Sequence, residues 1–137
     1  MKNSLIVTEF IEKPIELLWE YWTNPDYIKL WNIPYDDWHC PSVQIDFREG
    51  GVFNYRMEKM DGSEGFNYAG VFESIIPFES ILTITDDNRK NLVEFQSVGN
   101  NTIMRETFEP VGNTPLDIQQ EFVESVYKRF KKIVEEL

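Results

Sequence analysis

Residues 114–137, TPLDIQQEFVESVYKRFKKIVEEL, read as one long amphipathic helix, and the fold follows from what such a helix must cover. Thr114 is a candidate N-cap, and Pro115 suits the first turn, where a missing N–H costs nothing. Asp117 and Glu121 complement the positive end of the helix dipole, and Lys128, Arg129, Lys131 and Lys132 lie toward the negative end. Phe122, Val126, Phe130, Ile133 and Leu137 recur at spacings of four and three and predict a buried stripe. At 1.5 Å per residue the helix is roughly 33 Å long, enough to cross a small domain.

Upstream, the chain alternates in the manner of strands. Phe53, Tyr55 and Met57 share one face, with Asn54, Arg56 and Glu58 opposite, and residues 43–47 alternate in the same way. Further strands are expected at 66–76, 81–85, 92–98 and 102–109, separated by Pro77-Phe78-Glu79, Asp86-Asp87-Asn88 and Gly99-Asn100-Asn101. Gaps this short imply hairpins and an antiparallel meander, because parallel pairing needs long crossovers. Gly50-Gly51 permits the positive φ of a tight turn, and Asp61-Gly62 marks another. Residues 5–11, rich in β-branched and aromatic types, read as a first strand.

Two short helices come next. Pro14 opens the first, with Ile15, Leu18, Trp19 and Trp22 on one face; Asn24 caps the second, with Pro25 in its first turn and Ile28 and Trp31 on one side. Residues 33–42 carry two prolines and no periodicity and read as a loop, holding Tyr35, Trp38, His39 and Cys40. A sheet must bury one face, and the C-terminal helix is the element long enough to cover it. The expected architecture is α+β, a curved antiparallel sheet gripping one long helix, with a pocket between them.

Composition bounds the function classes. A chain of 137 residues is expected to form one domain with a real core, and 42% hydrophobic residues exclude a disordered tail. Thirteen basic against 24 acidic residues give a formal charge of -11, which repels nucleic-acid backbones and anionic lipid surfaces. No apolar run reaches the length of a membrane span, and Met1-Lys2-Asn3-Ser4 lacks a signal-peptide core. A soluble, cytoplasmic protein is expected. One cysteine and one histidine leave no internal disulfide and no metal cluster.

The segment Pro14…Leu18-Trp19…Trp22-Thr23-Asn24-Pro25…Leu30-Trp31 resembles an early motif, P-x-x-x-x-W-x-x-[WL]-T-x-P…W, of the SRPBCC (START and birch-pollen-allergen-like) superfamily. Within it the resemblance is to the branch named for the activator of heat-shock protein 90 ATPase. Phe47-Arg48-Glu49-Gly50-Gly51-Val52-Phe53 is similar to that branch's D-x-R-x-G-G-x-[FW]. Gly70-Val71-Phe72-Glu73-Ser74-Ile75-Ile76-Pro77 resembles its G-x-[YF]-x-E-[IV]-x-P, with Ser74 interposed. The resemblance spans nearly the whole chain and implies a helix-grip fold of about six or seven strands. It also implies a cavity of the kind that holds small hydrophobic molecules.

Such a cavity is expected to be lined by Phe53, Tyr55, Met57, Tyr68, Phe95 and Met104 from the sheet, and by Phe122, Val126 and Phe130 from the helix. Trp31 and Trp38 are expected near its mouth. Taken singly, each of these residues serves core packing as readily as ligand contact. Glu106 is the polar candidate: alternation groups it with Met104 and Phe108, and an inward carboxylate needs a partner or takes a raised pKa. A bulge that reversed its parity would leave it in solvent. It could anchor a ligand hydroxyl, or the domain could be a cyclase or hydrolyase with Glu106 or Tyr68 as the acid/base residue.

His39-Cys40 has the residue types of an activated thiol, but adjacent residues seldom direct their side chains at each other. Gly50-Gly51 lacks the helix start and lysine of a phosphate-binding loop, and no Ser-His-Asp pattern is present. The sequence therefore points to a small hydrophobic or amphipathic ligand, no cofactor, and no metal. Homodimerisation through exposed aromatics and docking to a heat-shock ATPase are the partner readings that remain. The ATPase reading is the least favoured, since the chain shows no counterpart of the eukaryotic co-chaperone's additional N-terminal domain.

Overall fold

Side-chain alternation across residues 52–108 is strict enough to build most of a sheet, and the computed structural model, which describes residue 1 and residues 3–137, shows it. The strands are β1 (Leu5–Ile11), β2 (Trp38–Ile45), β3 (Val52–Lys59), β4 (Gly65–Ile76), β5 (Ser80–Thr85), β6 (Lys90–Val98) and β7 (Asn101–Phe108). The helices are α1 (Ile15–Thr23), α2 (Pro25–Trp31) and α3 (Leu116–Glu135). The strands form one curved antiparallel sheet in the order β1-β7-β6-β5-β4-β3-β2. Chain neighbours pair as hairpins throughout, except that α1 and α2 carry the chain from β1 at one edge to β2 at the other. This is the helix-grip architecture.

The long helix closes the β1 edge. Gln120 Nε2 donates to the Ile6 carbonyl (2.9 Å), Lys131 Nζ to the Phe10 carbonyl (2.8 Å), and Glu135 Oε2 accepts from the Glu12 N–H (2.8 Å). Backbone groups that would otherwise template another strand are thus occupied by α3 side chains. On its other flank, Arg129 donates to the Ile33 carbonyl (3.2 Å) and pairs with Asp36. Among the described residues no helix is long and apolar enough to cross a membrane.

Several expectations need correction. The expected loop over residues 33–42 becomes strand from Trp38 onward, pairing Trp38 with Lys59 and His39 with Glu58. The register shifts between His39 and Ser42, and this irregularity absorbs Pro41. An edge strand needs no ladder bond from that residue, so proline breaks nothing there. The strand ends at Ile45 rather than 47, because Asp46 turns the chain into Gly50-Gly51.

Gly50 has φ +83, the left-handed region expected of it, and a Cβ on Gly51 would collide with the Asp46 carbonyl oxygen. Both glycines are held to β4, through Gly50 N–H to the Phe72 carbonyl (2.8 Å) and Phe72 N–H to the Gly51 carbonyl (2.9 Å). Just beyond, the β4–β5 register shifts between Phe72 and Ser74, so the residue interposed in the third motif sits at a bulge.

Asn24 caps α2 as expected, accepting from the Asp26 N–H at 2.9 Å. Thr114 does not cap α3: Pro115 holds the N-cap position in extended geometry (φ -54, ψ 140), and no side chain bonds there. The buried face of α3 is also rotated from the expected stripe. Gln119, Val126, Tyr127, Phe130 and Val134 are buried, whereas Leu137 is exposed and Phe122 and Ile133 are half-buried. A stripe drawn through apolar residues alone missed Tyr127, whose ring packs while its hydroxyl bonds.

The core is uneven along α3. Its C-terminal half is packed solid: Trp22 and Trp31 stack at 4.1 Å, and Phe130 meets both edge-on at 5.0 and 5.3 Å. Ile11, Leu18, Ile28, Met104 and Val134 fill the surrounding space with no exposed surface. The N-terminal half of α3 bridges a hollow instead.

Candidate functional site

Under the first turns of α3 the sheet curves away and leaves a cavity of about 470 Å³. Its walls come from six strands, with Ile45 from β2 and mainly alternating positions of the other five. β3 supplies Phe53, Tyr55 and Met57; β4 supplies Phe66, Tyr68 and Phe72; β5 supplies Ile81, Thr83 and Thr85; β6 supplies Asn91 and Val93; β7 supplies Glu106 and Phe108. Phe122, Val123, Val126 and Tyr127 form the roof, and Trp22, Trp31, Asn32 and Phe47 close one end. The other end opens beside Lys90, Phe66 and Ile118, which are exposed.

The expected lining residues divide on this geometry. Phe53, Tyr55, Met57, Tyr68, Glu106, Phe122, Val126 and Trp31 face the cavity. Phe95, Met104 and Phe130 do not: Phe95 packs against Trp19 (5.3 Å), Phe130 fills the solid half of the core, and Met104 is fully buried beyond the cavity. Parity was right for Phe95 and Met104, and Phe130 is on the buried face of α3, but the hollow stops short of all three. Trp31 sits at the closed end rather than the mouth, its Nε1 donating to the Tyr21 carbonyl at 2.7 Å. Trp38 lies outside the lining and contacts it through Phe66, ring to ring at 5.7 Å.

One patch of the wall carries a bonded cluster of polar side chains. Glu106 is inward and buried, as its parity with Met104 and Phe108 requires. Its Oε1 accepts from the Tyr127 hydroxyl (2.9 Å) and its Oε2 from Asn91 Nδ2 (3.0 Å); Asn91 Nδ2 also donates to the Tyr68 hydroxyl (3.1 Å). Among the described residues no cation pairs with it, and neither Arg56 nor Arg105 approaches: Arg56 is bonded to Glu58 at 2.8 Å. Burial raises the Glu106 pKa above its ordinary value, and the bonds from Asn91 and Tyr127 offset only part of that.

Burial likewise pushes up the pKa values of Tyr68 and Tyr127, with the Glu106 charge adding to both; burial and then the neighbouring Tyr68 raise Tyr55. These phenols therefore stay protonated as neutral donors. Asn91 and Tyr127 were not among the expected site residues. Asn91 has the inward parity of Val93 and Phe95, which was the available signal; the pairing of Tyr127 with Glu106 crosses from helix to sheet and has no local signature.

His39 and Cys40 do not form a reactive pair. His39 is half-exposed beside Glu58 (3.8 Å), whereas Cys40 is buried and its thiol donates weakly to the Ser42 carbonyl (3.7 Å). Burial pushes the Cys40 thiol pKa up, against the lowering by Asn32 and Lys29, which favours the unreactive form.

A sheet-and-helix fold of this kind recurs in known proteins. Residues 12–135 match the family model described as activator of Hsp90 ATPase homolog 1-like protein. The chain belongs to that family. An AHSA1-like protein from Aeromonas hydrophila is 31% identical, with a TM-score of 0.87 over 96% of this chain and 93% of its own. A Cytophaga hutchinsonii protein is 30% identical, with a TM-score of 0.85 over 98% and 93%. A Chromobacterium violaceum protein keeps the fold at 15% identity, with a TM-score of 0.87 over 97% and 98%. No functionally curated protein matches. Membership in this branch of the SRPBCC superfamily is compatible with a ligand-binding scaffold.

Proposed function

We propose that this family member binds a small hydrophobic or amphipathic molecule in the cavity between its sheet and α3, as a carrier or sensor. The observation that supports this is the unevenness of the core. One half of α3 packs Phe130 against the stacked Trp22 and Trp31, and the other half spans about 470 Å³ walled largely by aromatic rings. Apolar hollows of this size are costly unless something fills them, and ligand pockets fall in this range. Glu106, Asn91, Tyr68 and Tyr127 form one bonded polar patch on the wall, of the kind that orients a bound molecule.

The test is native mass spectrometry of protein purified from its own host, with bound small molecules extracted and identified. A stoichiometric apolar or amphipathic compound supports the reading. Protein that is always empty, and whose melting temperature and Trp fluorescence no apolar compound shifts, overturns it and moves attention to surface partners such as a heat-shock ATPase. The buried Glu106 with its Tyr127, Asn91 and Tyr68 neighbours favours a second reading, in which Glu106 or Tyr68 acts as acid or base on the bound molecule. That reading expects turnover of the extracted compound to disappear in Glu106→Gln while binding and folding persist.

A further inference from the structure

The anchor patch restricts the chemistry of whatever enters, and this inference rests on the cavity reading above. Glu106 Oε1 and Oε2 each accept one hydrogen bond, from Tyr127 and Asn91, although a carboxylate offers about four acceptor positions. Both hydrogens of the Asn91 amide are used, one on Glu106 and one on the Tyr68 hydroxyl. The Tyr68 hydroxyl accepts from Asn91 and lies within hydrogen-bond reach of the Thr83 side chain as well, and its own proton is the one it can donate. The wall presents acceptor capacity at Glu106 and one donor at Tyr68, bridged by Asn91, inside a largely apolar chamber.

We propose that the cavity selects apolar molecules bearing an uncharged hydroxyl, which donates to Glu106 and accepts from Tyr68, and rejects the corresponding carboxylates. A hydroxyl matches both wall groups with its single proton and its lone pairs. A ligand carboxylate brings a second negative charge beside Glu106 in a low-dielectric space and has no proton to offer it. Among the described residues no cation pairs with Glu106; the cations of the lining, Arg89 and Lys90, lie at the mouth. Glu109 lines the mouth with them, and Arg89 is already bonded to Asp87 at 2.7 Å and to the Glu109 carbonyl at 3.4 Å. Beside Glu106 itself, among the described residues, an anionic head finds no cation paired with that carboxylate.

Pyrene, pyrenemethanol and pyrenecarboxylate share one ring system and differ only in the head group. Trp22 and Trp31 in the lining report their entry by energy transfer. At a pH above the raised pKa of Glu106, where its carboxylate is charged, the protein is expected to bind pyrenemethanol at least about tenfold more tightly than pyrenecarboxylate, the scale of an unpaired buried charge. Glu106→Gln is expected to narrow that ratio several-fold, since it removes the repelling charge and changes the net charge of the protein by only one. Tyr68→Phe, which keeps the ring, is expected to weaken pyrenemethanol relative to pyrene. Equal binding of alcohol and carboxylate, or a ratio unmoved by Glu106→Gln in folded protein, overturns the head-group selection while leaving the cavity reading intact. Failure of all three probes, pyrene included, overturns both.

Discussion

Glu106 illustrates how much a single position carries. Its inward direction followed from strand alternation, because β7 has no register shift against β1 or β6. Its partners were not legible: Asn91 lies on the neighbouring strand and Tyr127 on a helix, so the pairing exists only once the chain has closed. Its raised pKa gives stability a defined pH dependence. Between the ordinary value of 4.5 and the raised native value, the folded state holds a proton that the unfolded state has lost. Stability is therefore highest below that window and falls as pH rises through it, by about 1.4 kcal/mol for each unit of elevation. Urea denaturation at a series of pH values should show this decline in the wild type and its loss in Glu106→Gln. Asp61 and Asp87, whose pKa values are lowered, act below 3.8 and equally in both proteins.

At the scale of elements, α3 was the firmest expectation, and its packing detail was the least accurate. Period and dipole complementarity located the helix, but apolar residues alone placed its buried face one position off, and polar Gln119 lies within that face. Gln119 joins α3 to the segment before it: Nε2 donates to the Val111 carbonyl (3.1 Å) and the Thr114 carbonyl (2.8 Å), and Oε1 accepts from the Val111 N–H (2.9 Å). This clamp takes the place of the side-chain cap that Thr114 was expected to provide. Gln119→Leu keeps the volume and removes all three bonds, so a loss of about 1–3 kcal/mol is expected, from backbone groups left without partners. Amide exchange at Val111 should accelerate by more than the global destabilisation explains; exchange that follows only the global change would show that the clamp is not local. The β2 edge carries a similar lesson, since proline content suggested a loop and an edge irregularity allowed a strand.

For the molecule as a whole, the consequential feature is space left unfilled. Val123, half-buried in the roof, faces the cavity, and Val123→Trp would occupy part of it. The substitution is expected to cost no more than about 1–3 kcal/mol, because the ring enters an existing hollow. Pyrenemethanol binding should drop more than about tenfold, the loss expected when an aromatic side chain takes the place of ligand contacts. Unchanged affinity would place the ligand elsewhere. Ligand saturation should raise the melting temperature of the wild type in proportion to RT ln(1 + [L]/Kd) and leave Val123→Trp unmoved. Local periods of two and 3.6, together with the turn residues between them, sufficed for the α+β class, the antiparallel meander and the gripping helix, because those features depend on near neighbours in the chain. They also sufficed for the inward parity of the lining residues. Where the hollow ends depends on how tightly Trp22, Trp31 and Phe130 pack against one another across α1, α2 and α3. That boundary separates Phe53 and Tyr68, which line the cavity, from Phe95 and Met104, which fill core, and no local pattern encodes it, since all four share the same alternation.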